Sequence, residues 1–147
     1  MKILIDADGC PVVDETIKVA SKYNIEVIIM CDTSHTFNKA GVQTIILSKG
    51  ADSVDFALVN KVNKGDIVVT QDYGLAAMVL SKGGQAINQN GRVYDNNNID
   101  QLLFTRHISK KMRSAGGRSK GPKKRTKEDD RNFEKGLVKL CENIIVS

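Results

Sequence analysis

The sequence predicts an α/β protein, a three-layer α/β/α sandwich around a mainly parallel sheet of about four to five strands. Two observations predict it. Short apolar runs alternate with longer amphipathic segments over the first ninety residues, and polar residues separate the two kinds of segment. Strands that alternate with helices in this way build βαβ units, which place helices on both faces of a parallel sheet. At 147 residues the chain has the size of one domain, so we expect a single domain over 1–147.

The strands are expected where apolar residues follow one another without a break. Runs of about four to eight such residues are typical of strands that are buried on both faces. Because helices connect these strands, the crossovers should be right-handed. The predicted strands are residues 2–6, 26–31, 42–47, 66–70 and a short fifth at 85–88.

Three helices are expected between these strands. The first starts near Pro11, which the first turn of a helix tolerates, and the second starts at Asp52, a natural N-cap. The apolar face of the second helix carries Val54, Leu58 and Val62, with Phe56 and Val59 flanking it. Glycines end the second and third helices. The predicted helices are residues 11–22, 52–64 and 72–82.

Beyond residue 90 the pattern changes. The asparagines at 96–98 predict a turn, and a helix should follow over 99–113. Residues 114–127 are expected to form a Gly-rich basic loop. Thr126 and Asp129 have the spacing of a capping box, which predicts the start of a last helix. That helix should bury Phe133, Leu137, Leu140 and Ile144.

The charge of the chain is unevenly distributed. The net charge is +5, yet residues 106–131 hold eleven Lys and Arg against three acids, a balance of +8, which leaves −3 elsewhere. Such a stretch is typical of nucleic-acid binding, RNA in the first place, although a solvated surface segment has the same composition. Phe37, Tyr73 and Tyr94 could stack on bases, although packing is the commoner role. The candidate phosphate-binding residues are Arg113, Arg118, Lys120, Lys123, Lys124 and Arg125.

Composition also predicts where the protein works. No apolar run approaches the roughly 18 residues that span a bilayer, so we expect no membrane partner. Only three apolar residues follow Lys2, which predicts no signal peptide. The three cysteines form no C-x-x-C pair, so neither a zinc site nor a disulfide framework is expected. A reduced, cytoplasmic location fits best.

The acidic residues carry the most specific signal. Asp6 and Asp8 close the first strand, Asp72 follows the fourth, and Asp52 and Asp55 open the helix between them. Ligands of open α/β sheets bind beyond the carboxyl ends of the strands, so these carboxylates should converge there. Repulsion between them would be relieved by a hard cation, Mg²⁺ or Mn²⁺. The alternative is structural: Asp6, Asp52 and Asp72 could cap helices, and Asp55 could interact with a helix dipole.

Four segments together resemble the YaiI/YqxD family, also called UPF0178 or DUF188, a set of bacterial proteins of undefined function. They are residues 6–11 (DADGCP), 50–55 (GADSVD), 69–76 (VTQDYGLA) and the basic loop followed by 128–133 (EDDRNF). The family in turn resembles a divergent branch of the PIN-domain nucleases. The resemblance therefore implies a PIN-like α/β/α fold in which acidic residues surround divalent metal ions, and cleavage of RNA or DNA.

The resemblance also assigns residues. Asp6 matches the PIN aspartate at the end of the first strand, Asp72 matches the one after the fourth, and Asp52 or Asp55 would supply the intermediate acid. Asp6, Asp8 and Asp72 are the implied catalytic residues. The implied metal ligands, for Mg²⁺ or Mn²⁺, are Asp6, Asp8, Asp52, Asp55 and Asp72.

Other positions have a less direct match. Thr70 would orient a ligand or substrate through its hydroxyl group. Asp14 or Glu15 could supply the acid that PIN domains often carry in an early helix. The function implied is a metal-dependent nuclease or phosphodiesterase that acts on RNA, in which the metal activates water for attack on a phosphodiester.

Two alternatives remain open. One is a non-catalytic nucleic-acid-binding module that keeps the PIN-like fold. The other is a phosphatase of the haloacid-dehalogenase type, because Asp6-x-Asp8-Gly9 after a buried strand resembles the first motif of those enzymes. In that motif the first Asp is the nucleophile and the second is a general acid. Cys10 stands where the motif usually has Thr or Ser.

Overall fold

The computed structural model describes residues 1–32, 41–47, 53–102 and 124–146. These residues form one sheet of six strands in the order β3-β2-β1-β4-β5-β6. The first five strands are parallel, and β6 runs antiparallel to β5. The strands are β1 (Lys2–Asp6), β2 (Glu26–Asp32), β3 (Gln43–Leu47), β4 (Ile67–Val69), β5 (Gln85–Ile87) and β6 (Val93–Tyr94). The predicted mainly parallel sheet is therefore confirmed.

Helices cover both faces of this sheet, as predicted. The helices are α1 (Val13–Lys22), α2 (Ser53–Lys61), α3 (Tyr73–Ser81), α4 (96–102 within the described part) and α5 (Lys127–Val146). Alternate β1 residues face opposite layers: Ile3 and Ile5 pack with α1 and α5, while Leu4 packs with α2 and α3. The period of two in a strand thus divides the core into two halves. The architecture is a three-layer α/β/α sandwich.

The predicted apolar faces are buried. Val54, Leu58 and Val62 of the α2 segment lie in the core. Phe133, Leu137 and Leu140 of α5 are buried against the other face of the sheet. The capping box at the start of α5 is also confirmed, because Thr126 N–H donates to the Asp129 carboxylate (2.9 Å) and Asp129 N–H donates to the Thr126 hydroxyl (3.2 Å).

One local prediction was wrong, and one strand was missed. The asparagines at 96–98 form the first turn of α4 instead of a turn between elements. The helix starts there because Asp95 and Asn98 cap it reciprocally, each accepting a hydrogen bond from the main-chain N–H of the other (2.7 and 2.9 Å). The strand β6 was not predicted, since two residues are too short to show a period.

The turn between β5 and β6 packs closely on α5. Gly91 has φ +88°, and a Cβ atom there would collide with the main chain at Asn132. A Cβ atom at Gly136 would in turn lie 2.5 Å from the Gly91 carbonyl oxygen. Glycine at both positions therefore lets α5 approach the carboxyl end of β5.

An ion pair fixes the opposite end of the sheet. Lys2 Nζ lies 2.7 Å from the carboxylate of Asp66, a residue that is only 2% exposed. The main-chain N–H groups of Lys2 and Asn63 also donate to this carboxylate (3.1 and 2.8 Å). Burial by itself would raise the pKa of Asp66, but these hydrogen bonds outweigh it and lower that pKa. The start of β1 is thereby joined to the loop before β4.

Candidate functional site

The strand order defines one preferred place for a ligand. From β1 the chain continues through β2 to β3 on one side, while β4, β5 and β6 lie on the other side of β1. The point between β1 and β4 is therefore a topological switch point, where a crevice opens beyond the carboxyl ends of the strands. Asp6 ends β1, and Thr70 and Asp72 follow β4 directly. Residues from both sides of the switch point thus reach the same crevice.

Asp6 and Thr70 contact each other across this crevice. The Thr70 hydroxyl donates to Asp6 Oδ2 at 2.8 Å. It also accepts a hydrogen bond from the main-chain N–H of Asp72 at 3.0 Å. Thr70 is itself held in place, since its N–H donates to the Ile87 carbonyl and its carbonyl accepts from the buried Tyr94 hydroxyl. The Asp6 carboxylate therefore sits against a rigid, buried donor.

The Asp6 carboxylate lies in an environment that disfavours its charge. Its pKa is raised from the ordinary 3.8 to about 6. Burial is the main cause, and the hydrogen bond from Thr70 partly opposes it. The carboxylates of Asp55, Asp72 and Asp8 raise the pKa further. Acidic residues from three parts of the sequence are thus close enough to interact, as the sequence predicted.

Asp72 also has a structural role. It is the N-cap of α3, and its Oδ1 accepts hydrogen bonds from the main-chain N–H groups of Gly74 (2.8 Å) and Leu75 (3.2 Å). The capping role that the sequence left open for Asp72 is therefore present. Asp6 differs, because the contact described for its carboxylate is with the Thr70 side chain.

Asp8 and the residues around it join the strand ends. The Asp8 carboxylate accepts a hydrogen bond from the main-chain N–H of Asp32 at the end of β2 (3.2 Å). The Gln71 side-chain amide donates to the Gly9 carbonyl oxygen at 2.8 Å, which connects the loop after β4 to the loop after β1. Gly9 has φ +75°, a value that suits glycine at this tight turn.

The acids fit a hard cation by chemistry, although they do not form a closed cage. All their ligand atoms are oxygens, and Asp6 is surrounded by like charge. Over the described ranges, no three His, Cys, Asp or Glu side chains are grouped so that they could hold a metal ion. Asp52, the fifth predicted ligand, lies outside the described residues. Mg²⁺ commonly binds through one or two carboxylates plus substrate phosphates and water, which this arrangement permits.

Cys10 lies beside these acids but is poorly suited to nucleophilic attack. Burial raises the pKa of its thiol to about 11, and the carboxylates of Asp6 and Glu15 add to the effect, while Arg125 opposes it. The thiolate form is therefore scarce at neutral pH.

Comparison with known proteins identifies the family. A sequence model of the family DUF188, described as "Uncharacterized BCR, YaiI/YqxD family", matches residues 4–143. The chain belongs to the YaiI/YqxD family. It is 60% identical over 140 residues to a UPF0178 protein of Exiguobacterium sibiricum, covering 95% of this chain and 96% of that one. A UPF0178 protein of Clostridium acetobutylicum is 51% identical over 142 residues, with 95% and 96% coverage. No solved structure matches.

The alignments cover most of the length of each of these relatives. A UPF0178 protein of Ruminiclostridium cellulolyticum is 54% identical over 138 residues, 94% of this chain and 90% of that one. The family resemblance seen in the sequence is thus confirmed, and these names state no activity. No helix within the described ranges is long and apolar enough to cross a membrane.

The structure describes two of the six basic residues that the sequence predicted to bind phosphate. Lys124 is exposed. The Arg125 guanidinium donates to Asp130 Oδ1 (2.7 Å), Asn90 Oδ1 (2.9 Å) and the Gln89 carbonyl oxygen (2.6 Å). Arg125 therefore joins the start of α5 to the β5–β6 turn. The other four lie outside the described residues, namely Arg113, Arg118, Lys120 and Lys123.

Of the three aromatic candidates, the two that the structure describes pack within the protein, the role that the sequence analysis gave as the commoner one. Tyr94 is buried and Tyr73 is half-buried. The Tyr73 ring packs edge-on against the Tyr94 ring, with 6.0 Å between the two ring centroids. Phe37 lies outside the described residues. Phe56, which the sequence reading treated only as a flank of the α2 apolar face, is 62% exposed in the first turn of α2.

Sequence reasoning also missed two polar residues of the site. Asp32 ends β2, as Asp6 ends β1, and its place after an apolar run was the available signal. Gln71 had no such signal, because its contact with Gly9 depends on residues 62 positions apart.

Proposed function

We propose that this protein is a divalent-cation-dependent nuclease or phosphodiesterase that acts on RNA, with Asp6 at the centre of its site. One observation carries the proposal. The Asp6 carboxylate lies at the switch point of a parallel sheet and accepts a hydrogen bond from Thr70. Burial raises its pKa to about 6, and the carboxylates of Asp55, Asp72 and Asp8 add to that rise. A charge that the fold disfavours, at the position where such sheets bind ligands, is typical of a functional residue.

The residues have separable tasks in this proposal. Asp6, with Asp55 or Asp72, would hold Mg²⁺ or Mn²⁺, and the bound ion would supply a water of lowered pKa and polarise the phosphodiester. Thr70 orients the Asp6 carboxylate by donating to Oδ2. Asp72 fixes the start of α3 as well, since its Oδ1 caps that helix.

The charge of the chain supports a nucleic acid as the substrate. The net charge is +5, and the excess of Lys and Arg falls within 106–131. Such an excess attracts a polyanion from solution. The acidic residues of the site would then act on the scissile phosphate through the bound cation, while Lys and Arg side chains bind the neighbouring phosphates of the strand.

Asp72→Asn gives a clean test of the cation site. Asparagine caps helices about as well as aspartate, so this variant removes a charge and keeps the cap. We expect Mn²⁺ at about 100 times its dissociation constant to stabilise the wild type by about 2.7 kcal/mol. The stabilisation should be lost in Asp6→Asn and reduced in Asp72→Asn. Asp100→Asn, an exposed acid on α4, is the matched control and should respond as the wild type does.

Cleavage is measured on the same set of proteins. A fluorescein-labelled single-stranded RNA, and DNA of the same sequence, is incubated with each protein in Mg²⁺, Mn²⁺ or EDTA. We expect cleavage by the wild type and Asp100→Asn, and a loss of about 100-fold or more in Asp6→Asn. A wild type that neither gains stability from cation nor cuts either strand would overturn the proposal.

A second function is favoured by the structural roles of two acids. Asp72 caps α3, and the Asp8 carboxylate accepts a hydrogen bond from the Asp32 main-chain N–H. Both acids would therefore stabilise the fold even in a protein that catalyses no reaction. A non-catalytic RNA-binding module would bind the labelled RNA without cation-dependent stabilisation or cleavage.

A further inference from the structure

Among the aromatic residues that the structure describes, Phe56 is the one that is mostly exposed. Of the aromatic residues that the structure describes, Phe133 and Tyr94 are buried, while Tyr23 and Tyr73 are half-buried. Phe56 is 62% exposed. More than half of the Phe56 surface is therefore accessible to a binding partner.

Packing of α2 does not require a phenylalanine at this position. The helix buries Val54 and Leu58 and is followed by the buried Val62, a spacing of four residues that defines one face. Phe56 lies two positions from both Val54 and Leu58, so it falls on the opposite side of the helix. A polar residue there would leave the core unchanged.

The position of α2 places Phe56 at the same end of the sheet as the acidic site. The helix joins β3 to β4, and both strands run parallel in the sheet, so its N-terminus lies at the carboxyl ends of the strands. The first turn of α2 holds both Asp55 and Phe56. Asp55 is the acid with the largest charge effect on Asp6 among the three neighbours. The ring is therefore next in sequence to a carboxylate of the site.

We propose that Phe56 is a stacking platform that binds one base of a single-stranded RNA and so positions the adjacent phosphodiester at Asp6. The inference rests on the proposed function, because it takes RNA as the substrate. Proteins that bind single strands combine basic residues for the backbone with aromatic side chains for the bases. The chain supplies the basic residues, and Phe56 supplies a ring that faces solvent.

The absence of tryptophan from the sequence allows a direct test. Phe56→Trp places a single tryptophan, which can be excited selectively over the tyrosines, at the platform. Asn60→Trp places one on the same helix at an exposed position one turn further from the site. Single-stranded RNA should quench the fluorescence of Phe56→Trp and leave that of Asn60→Trp unchanged. Equal responses in the two variants would overturn the inference.

Affinity provides a second, independent measurement. Phe56→Ala should weaken binding of a labelled single-stranded RNA by about 5- to 150-fold, as expected for the loss of one stacked base. The melting temperature should be unchanged, because the ring is exposed. The slope of log affinity against log salt should also be unchanged, since no charge is lost. Phe56→Tyr should restore affinity, and an affinity of Phe56→Ala within twofold of the wild type would overturn the inference.

The results separate this inference from the proposed function. RNA cleavage with the same KM in Phe56→Ala and wild type would overturn the platform and leave the nuclease intact. Quenching of Phe56→Trp by RNA without cleavage would support the platform and overturn the nuclease. Fluorescence of Phe56→Trp that changes with protein concentration but not with RNA would show that a second copy of the chain covers the ring, which also overturns the inference.

Discussion

Replacing Asp6 by asparagine should make the protein more stable at neutral pH. The folded protein raises the pKa of Asp6 from 3.8 to about 6, so at pH 7.5 the fold holds a carboxylate that it disfavours. Asparagine is neutral and nearly the same shape, and its side-chain oxygen can still accept the hydrogen bond from Thr70. The variant therefore removes the unfavourable charge and keeps the contact.

The magnitude follows from the two pKa values. A rise from 3.8 to about 6 corresponds to about 3 kcal/mol of unfolding free energy at full ionisation. Because the folded protein binds the proton more tightly, stability falls as pH rises from 3.8 to about 6. Between pH 4.5 and 7.5 the wild type should lose about 2 kcal/mol relative to Asp6→Asn. In a chain of this length that is roughly 4–8 °C in Tm.

Urea unfolding at pH 4.5, 6.0 and 7.5 without divalent cations measures this effect. Each variant is compared with the wild type at the same pH, so the other titrating groups cancel. Thr70→Val tests the cause, because losing the donor raises the pKa of Asp6 further and moves the transition to higher pH. Thr70→Ser keeps a hydroxyl group and is its control.

The reasoning is refuted by a stability difference between Asp6→Asn and wild type that does not grow from pH 4.5 to 7.5. A variant that is less stable than the wild type at pH 7.5 would refute it as well. Either result would mean that the Asp6 carboxylate is not destabilised by its surroundings.

Three further predictions concern the fold. Asp66→Asn should cost about 2–4 kcal/mol at pH 7, and because the folded pKa of Asp66 is lowered, the difference from wild type should shrink as pH falls below about 4 in acid unfolding curves. Gly65→Ala should cost about 1–2 kcal/mol in urea unfolding, because Gly65 has φ +88° but a Cβ atom there meets nothing within 4 Å. Gly91→Ala should cost clearly more, because Gly91 has the same φ and its Cβ atom would also collide with the main chain. Arg125→Gln and Asp130→Asn should each cost about 1 kcal/mol and leave the salt dependence of RNA binding unchanged; a reduced salt slope in Arg125→Gln alone would show that the guanidinium contacts phosphate instead.

Local patterns were sufficient to predict most of the fold. The buried strands at 2–6 and 26–31 are continuous apolar runs, and the capping box at Thr126 needs only two residues three positions apart. The same kind of local reasoning misled at 96–98, because three asparagines favour a turn unless a residue such as Asp95 caps a helix there. Short-range chemistry therefore predicts elements, and errors arise where capping decides between turn and helix.

Long-range contacts account for what the sequence did not show. The hydrogen bond between Thr70 and Asp6 joins residues 64 positions apart, and the ion pair of Lys2 with Asp66 spans the same separation. Strand ends indicated that the acids would converge, but only the folded chain shows which carboxylate carries the perturbed pKa. The exposure of Phe56 was not predicted either, although its spacing of two residues from both Val54 and Leu58 was the available signal.

The acids of the site differ in how much of their presence the fold explains. Asp72 caps α3, and Asp8 accepts a hydrogen bond from the end of β2, so a stable fold has a use for both. Asp6 accepts one hydrogen bond from Thr70, which asparagine could accept equally well without the energetic cost of a charge. Selection for stability alone would favour the neutral side chain at this position. The charge of Asp6 is therefore best explained by something that the folded protein binds or does, and it is the first residue on which the function should be tested.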